Sequence, residues 1–371
     1  MPPLNPPLHR IAISTGGGDA PGLNAVIRAA TLSALNRGWE VVGIRDGYNG
    51  LLMPEVYGEG GLIRLTRQRV RGITHLGGTI IGTTNRGNPA KFPVKQADGS
   101  VVEVNRIDEL IGTFKAHGLD ALIVVGGDGS LGIANLIAQK GFRVVGVPKT
   151  IDNDLDQTVI TFGFDTAVSF ATECLDRLHT TAASHRRVLV VEVMGRYAGW
   201  IALNVGVSGS ADAILIPEIP YDLDKVAQKI HEREQQAGDF TMVVVAEGAK
   251  PVGGRASIVG KEAGQAERLG GVGEKVAHEL QALTGKETRV VVLGHLLRGG
   301  TPTSFDRLIA LRFGAAAVRA LDEGQSGVMV ALDPPTVNYV PLAAATGRMK
   351  SVPLDCDTIL TARDLGICFG D

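Results

Sequence analysis

The stretch ALIVVGGDGSLGIANLIAQKGFRVVGVPKTIDND, Ala121 to Asp154, reads as a strand, a glycine turn, a helix, a second strand and an acidic turn. Ala121–Val125 and Arg143–Val147 are apolar without alternation, the pattern of strands buried on both faces of a parallel sheet. Working outward, Ile11–Ser14, Glu40–Ile44, Val188–Val193, Ala213–Ile216, Thr241–Ala246, Val290–Leu293 and Val328–Ala331 repeat that pattern, with helical spacing between them. Such alternation predicts a doubly wound α/β fold. No self-similar period marks a solenoid. Gly87–Val104 carries a DGS turn signal and reads as a small hairpin; Lys250–Gly273, rich in glycine and charge, reads as a loop or a loop with a helical start.

The 371 residues suit two domains or one large α/β unit. With 37 Lys+Arg against 39 Asp+Glu the net charge is −2, and no basic run dominates any segment, which argues against a nucleic-acid protein held by phosphate neutralisation. Cys174, Cys356 and Cys368 have no metal-ligand spacing and form no disulfide framework, as expected of a reducing cytoplasm. No window has the apolar length of a membrane span, and Met1–Arg10 has no apolar signal-peptide core. The 49 glycines, roughly twice average usage, point to tight turns and close backbone approaches.

Three strand ends carry the chemistry. Strand Ile11–Ser14 runs into Thr15–Gly22 (TGGGDAPG) and a helix start near Leu23, where unpaired N–H groups and a partial positive charge suit a phosphate. Glycines that merely make the bend are the alternative. Val125–Ser130 (VGGDGS) places Asp128 among phosphate-cradling glycines, where a carboxylate needs a cation; Asp128 reads as a Mg²⁺ ligand or a ligand of its water shell. The alternative is helix capping by Asp128 or Ser130. This turn also resembles those of NAD kinases and diacylglycerol kinases. In Pro148–Asp154 (PKTIDND) two aspartates follow a strand end, where ligands of open α/β sheets gather. One can serve as general base on an acceptor hydroxyl while the other helps hold Mg²⁺.

These motifs, with GGT (Gly77–Thr79), SHRR (Ser184–Arg187), VEVMGR (Val191–Arg196), AEG (Ala246–Gly248) and ETRVVVLGHLLRGG (Glu287–Gly300), stand in the order that resembles the bacterial-type 6-phosphofructokinase family. The resemblance implies two Rossmann-like α/β domains with mostly parallel sheets and the active site in the cleft between them. The larger, donor-binding domain would comprise 1–163 and 297–347, the smaller, sugar-phosphate-binding one 164–296 and 348–371. It implies phosphoryl transfer from ATP to the 1-hydroxyl of fructose 6-phosphate with Mg²⁺. Asp152 would be the base, with Thr150 beside it and Arg196 on the transferring phosphoryl or the acceptor. Asp154, Arg187, Met194, Gly195, Glu247, Arg289, His295 and Arg298 would bind the sugar phosphate. Gly18, Tyr48, Asn85, Arg86, Gly127, Asp128, Gly129, Ser130 and Lys149 would bind the donor, Asp128 near the metal. Arg187 and Arg289 would come from a neighbouring subunit, which implies a homotetramer or homodimer. His179 is left as structural.

The donor signature is mixed. Gly129 is the ATP form and Lys149 the pyrophosphate form; the reading takes ATP, with pyrophosphate as the alternative donor. Asn85 replaces a family arginine, with Arg86 next to it, and Ile133 replaces a family glycine, with Gly132 before it. A catalytically silent regulatory paralogue is the rival of another class, and retention of Asp128, Asp152, Asp154 and Arg196 argues against it. Of the family's effector-site arginines Arg28 is retained, while two others align with Leu32 and His179; control by ADP or phosphoenolpyruvate should therefore be weak.

Overall fold

In the computed structural model, which describes residues 7–235, 240–260 and 268–371, the apolar runs become strands covered on both faces, except at Val290–Val292, which stays half-exposed. Ile11 and Ile13 point to one side of the first strand and Ala12 to the other, and each joins a different buried cluster. Ile11, Ile13 and Phe313 are fully buried, each such burial contributing about 1.5–3 kcal/mol. The chain divides into two compact units, one of Met1–Thr150, Leu155–Gly163 and Arg298–Met349, the other of Ile151–Asp154, Phe164–Leu297 and Lys350–Asp371. The short segment Ile151–Asp154 thus groups with the second unit, whereas the sequence reading put it in the first.

The first unit begins with β1 (Arg10–Thr15), β2 (Glu40–Ile44) and β3 (Leu62–Arg64). The expected hairpin follows as β4 (Phe92–Lys95) and β5 (Val101–Val104), antiparallel to each other. Then come β6 (Ala121–Gly126) and β7 (Arg143–Pro148). The second unit contains β8 (Val188–Val193), β9 (Ala213–Leu215), β10 (Thr241–Ala246), the antiparallel pair β11 (Ile258–Gly260) and β12 (Arg268–Leu269), and β13 (Thr288–Val292). The chain returns to the first unit with β14 (Val328–Asp333) and β15 (Thr336–Pro341).

The first unit's sheet has the order β15-β14-β7-β6-β1-β2-β3, parallel except for β3 and β15 at its two edges. Helices Leu23–Leu35 and Ser304–Asp322 cover one face, Ile107–Ala116 and Asp128–Gln139 the other. The second unit's sheet, β13-β8-β10-β9, is wholly parallel. Helices Leu223–Gln235 and Val272–Thr284 cover one face of it, and Trp200–Ser208 packs on the other through Gly206, opposite Ile214. The mostly parallel α/β class expected from the sequence is therefore present in both units.

Within Lys250–Gly273 the strands β11 and β12 flank residues 261–267, so the middle of the expected loop lies outside the described residues, as do the first six residues of the Met1–Arg10 stretch. Among the described residues no helix is long and apolar enough to cross a membrane.

Candidate functional site

In the first unit β1 and β6 are neighbours, yet their following helices leave to opposite faces of the sheet. This is a topological switch point, where open α/β sheets hold their ligands. The glycine turns flank it. Gly16 N–H donates to the Val125 carbonyl at 3.0 Å and Lys149 N–H to the Gly126 carbonyl at 2.9 Å, so the ends of β1, β6 and β7 are stitched together. Ser130 wedges between the turns: a Cβ on Gly16 would lie 2.6 Å from its Oγ, and one on Gly126 would lie 2.3 Å from its Cβ. The N-cap position of helix Asp128–Gln139 falls on Gly127, so neither Asp128 nor Ser130 occupies it. Asp128 and Gly129 are exposed at the helix start, and a Cβ on Gly129 would meet nothing within 4 Å.

Lys149 is buried at 4% exposure, and its ammonium donates to the Gly18 carbonyl. Gly17 adopts φ +78°, a conformation that suits glycine. Two threonines that sequence reading missed fix it: Gly17 N–H donates to the Thr84 carbonyl at 3.0 Å, and Thr83 Oγ1 donates to the Gly17 carbonyl at 2.7 Å. Asn85 and Arg86, both exposed, follow directly, so they stand beside the first glycine turn. Asn24 is a second miss. Its Nδ2 donates to the Gly77 carbonyl at 3.1 Å and its Oδ1 accepts from Ile80 N–H at 2.9 Å, which ties the GGT turn to the first helix. The Thr150 carbonyl accepts from Thr161 Oγ1 at 2.7 Å.

Two expected residues make contacts that bear on their roles. Tyr48 is 6% exposed and packs in the hydrophobic layer with Leu51 and Leu52. Its hydroxyl is buried without a hydrogen-bond partner, and burial pushes its pKa well up. A ring held there has no face to offer a nucleotide. Arg298 lies on the first glycine turn: Nη1 donates to the Asp19 carbonyl at 3.2 Å, and a Cβ on Gly18 would lie 2.7 Å from Nη1. That bond uses one of the five N–H groups of the guanidinium.

In the second unit the carboxyl ends of β8, β10 and β13 are adjacent, and Met194–Arg196, Glu247 and His295 follow them. Glu247 N–H donates to the Val193 carbonyl at 2.9 Å, and Leu293 N–H to the Glu192 carbonyl at 3.0 Å. Met194, Arg196 and Glu247 are half-buried and His295 is exposed. The Arg196 guanidinium lies 5.7 Å from the Tyr197 ring centroid. Gly195 has φ +139°. Asp152 and Asp154 are half-buried on either side of Asn153, which takes φ +52°. Glu218 was missed by sequence reading. It accepts from Gly199 N–H at 3.0 Å and from Val352 N–H at 2.8 Å, anchoring the turn that carries Arg196.

Arg187 and Arg289 stand at the other end of these strands. Arg187 Nε donates to Glu287 Oε2 at 2.7 Å, and Arg289 Nη2 lies 2.5 Å from Glu287 Oε1. Arg187 precedes β8 and Glu287 precedes β13. At about 3.3 Å per residue, the six residues of β8 separate Arg187 from Met194 by more than a side chain can span. Within one chain these arginines and Glu247 cannot meet on one small ligand. The hydrogen bond from Arg187 holds the Glu287 carboxyl below its ordinary range, with the charges of Arg187, Arg289 and His185 adding to the effect.

Glycine-lined strand ends at a switch point, a buried lysine and one exposed carboxylate, Asp128, mark an α/β protein whose strand ends suit phosphate ligands. The chain matches the Phosphofructokinase family over residues 10–321 and belongs to that family. It is 51% identical over 366 residues to the ATP-dependent 6-phosphofructokinase of Chloroflexus aggregans, covering 98% of each chain. It is 47% identical over 350 residues to the pyrophosphate–fructose 6-phosphate 1-phosphotransferase of Amycolatopsis mediterranei, covering 93% of this chain and 97% of that one. Among solved structures, the T-state phosphofructokinase of Pichia pastoris superimposes with a TM-score of 0.78 at 33% identity, over 94% of this chain and 36% of that longer one.

Proposed function

We propose that this chain is a 6-phosphofructokinase that transfers the terminal phosphoryl group of ATP to the 1-hydroxyl of fructose 6-phosphate, giving fructose 1,6-bisphosphate, a step of glycolysis in the cytoplasm. Gly129 carries the donor assignment. Glycine in a helix costs about 1 kcal/mol relative to alanine, and neither a positive φ nor a neighbouring atom demands it here. The open face in front of it suits the larger donor.

Asp152 takes the proton of the 1-hydroxyl as its oxygen bonds to the terminal phosphorus and the bond to ADP breaks, with ADP as the leaving group. Thr150 stands beside it, and Arg196 neutralises charge on the transferring group. A loose in-line transfer asks mainly for positioning and charge neutralisation, so these groups suffice. Mg²⁺ is commonly held by one or two carboxylates together with substrate phosphates. Exposed Asp128, beside open space at a helix start, fits that use, and the ion would supply neutralisation of donor charge. Gly18, Asn85, Arg86, Gly127, Ser130 and Lys149 line the donor; Asp154, Met194, Gly195, Glu247, His295 and Arg298 take the sugar phosphate. Arg187 and Arg289, at the far end of β8 and β13, serve the 6-phosphate of a neighbouring copy, so the working form is a homotetramer or homodimer.

Pyrophosphate as donor is the second reading, favoured by buried Lys149 on the first glycine turn. An aldolase-coupled assay of the purified protein with fructose 6-phosphate and each donor tests both. Turnover with ATP is the expected result, turnover with pyrophosphate alone reverses the donor assignment, and none with either defeats the proposal.

A further inference from the structure

Lys350 ties the acidic turn to Trp200. Its Nζ donates to Asn153 Oδ1 at 3.0 Å, its N–H donates to the Asp154 carbonyl at 2.9 Å, and its carbonyl accepts from Trp200 Nε1 at 2.9 Å. The ammonium also lies 5.7 Å from the centroid of the Trp200 ring, within cation–π reach. Asn153 is 5% exposed and holds φ +52°, a left-handed conformation that asparagine tolerates better than most residues. That one dihedral sets the direction of the chain on both sides, and with it the directions from which Asp152 and Asp154 project. Any residue but proline at 350 could make the two backbone bonds. Reaching the Asn153 amide takes a donor on a long stem, and indole N–H and ring together hold that stem in place.

We propose that Lys350 is a positioning residue, which fixes the left-handed Asn153 turn and so aims the Asp152 and Asp154 carboxylates. This rests on the reading of Asp152 as the base. Lys350 acts on the carboxylates through its bond to Asn153. A misplacement of a catalytic group by about 1 Å can cost roughly 10²-fold in rate, so a loose turn shows in turnover.

The experiment measures kcat and both KM values for the wild type, Lys350→Met, Lys350→Arg, Asn153→Gly and the Lys350→Met/Asn153→Gly double variant. Amide hydrogen exchange of the peptide spanning 151–154 is followed in parallel. Lys350→Met should lower kcat by about 10²-fold with both KM values unchanged, and exchange should quicken in that peptide alone. Lys350→Arg, still a long-stemmed donor, should recover most of the rate. Asn153→Gly keeps the left-handed conformation while deleting the acceptor, so it should resemble Lys350→Met, and the double variant should be no slower than either single one. Wild-type kcat in Lys350→Met, additive losses in the double variant, or a fall in kcat with exchange raised throughout the chain overturns the proposal. A wild type silent with both donors overturns the functional reading instead, and the exchange pattern then decides whether Lys350 holds the turn.

Discussion

Gly248 N–H donates to the Gly195 carbonyl at 3.1 Å, locking the turn after β10 onto the turn after β8. A Cβ on Gly248 would lie 2.0 Å from the Arg196 carbonyl oxygen and 2.9 Å from that of Gly195. Both obstacles are backbone, so a rotamer change relieves neither. Gly248→Ala should therefore push apart the turns that carry Arg196 and Glu247, at an overpacking cost of about 1–3 kcal/mol. The KM for fructose 6-phosphate should rise along with a lowered Tm; both unchanged would mean the two turns are not coupled.

Lys149 bears on the donor. Its ammonium reaches the Gly18 carbonyl from a buried position, and it is the nearest side-chain group to the Cβ position of Gly17, at 3.5 Å. Lys149→Met keeps much of the volume and removes the charge. Pyrophosphate packs its charge into a smaller donor with fewer other contacts, so kcat/KM for pyrophosphate should fall more than that for ATP. Comparing the two ratios with those of the wild type decides it, and equal losses would leave Lys149 without a part in donor choice.

The fold was legible where burial is two-sided. Seven of the nine apolar runs lie wholly within strands, and Ala213–Ile216 and Val290–Leu293 each run one residue past theirs; all but the half-exposed β13 are covered on both faces, where no polar alternation is needed. The edge strands β3 and β15 escaped notice because they are half-exposed and short or polar, with Asn338 and Pro341 inside β15. The glycine turns were legible for a related reason, since a close backbone approach leaves a residue type behind. Thr83, Asn24 and Lys350 left no such trace. They act by side-chain bonds across 66, 56 and 197 positions of sequence, with no local pattern to mark them. Tyr48 misled because a tyrosine in a turn has the same sequence signature whether its ring faces a ligand or the core.

Arg187 and Arg289 stand too far along β8 and β13 to share a ligand with Glu247 of their own chain, which makes subunit complementation a test of the proposed assembly. Asp152→Ser should lose about 10²–10⁴-fold in turnover, the usual contribution of a general base. Arg187→Ala deletes a charge-assisted contact worth about 1.5–3 kcal/mol, and should raise the KM for fructose 6-phosphate. Co-expressed and mixed, the two variants should form hybrids in which some sites hold both Asp152 and Arg187, with activity above the sum of the separate variants. Strict additivity would show that each site draws on one chain.

Acid should loosen the Arg187–Glu287–Arg289 cluster. Glu287 sits below its ordinary value of 4.5 through the Arg187 hydrogen bond. A carboxyl with a depressed folded-state pKa contributes stability that is present above that ordinary value and is lost as pH falls through the depressed one. Glu287→Gln removes this contribution, so the difference in Tm between neutral and acid solution should be smaller in the variant than in the wild type. The group is exposed, so the effect is modest and should shrink in salt. An identical pH dependence in both proteins would assign the acid limb to other carboxyls.

Effector control should be weak, and the structure gives His179 and Leu32 other work. His179 Nε2 donates to the Gly209 carbonyl at 2.7 Å, and its ring meets Phe240 edge-on with centroids 5.5 Å apart. Leu32 packs partly buried against the core of the first unit. Neither supplies the positive charge that an anionic effector needs, and Arg28 alone gives one guanidinium where several would share a diphosphate. Initial rates at subsaturating fructose 6-phosphate should thus change little on adding ADP or phosphoenolpyruvate. Strong activation by ADP under those conditions would require a phosphate site built from residues other than these three.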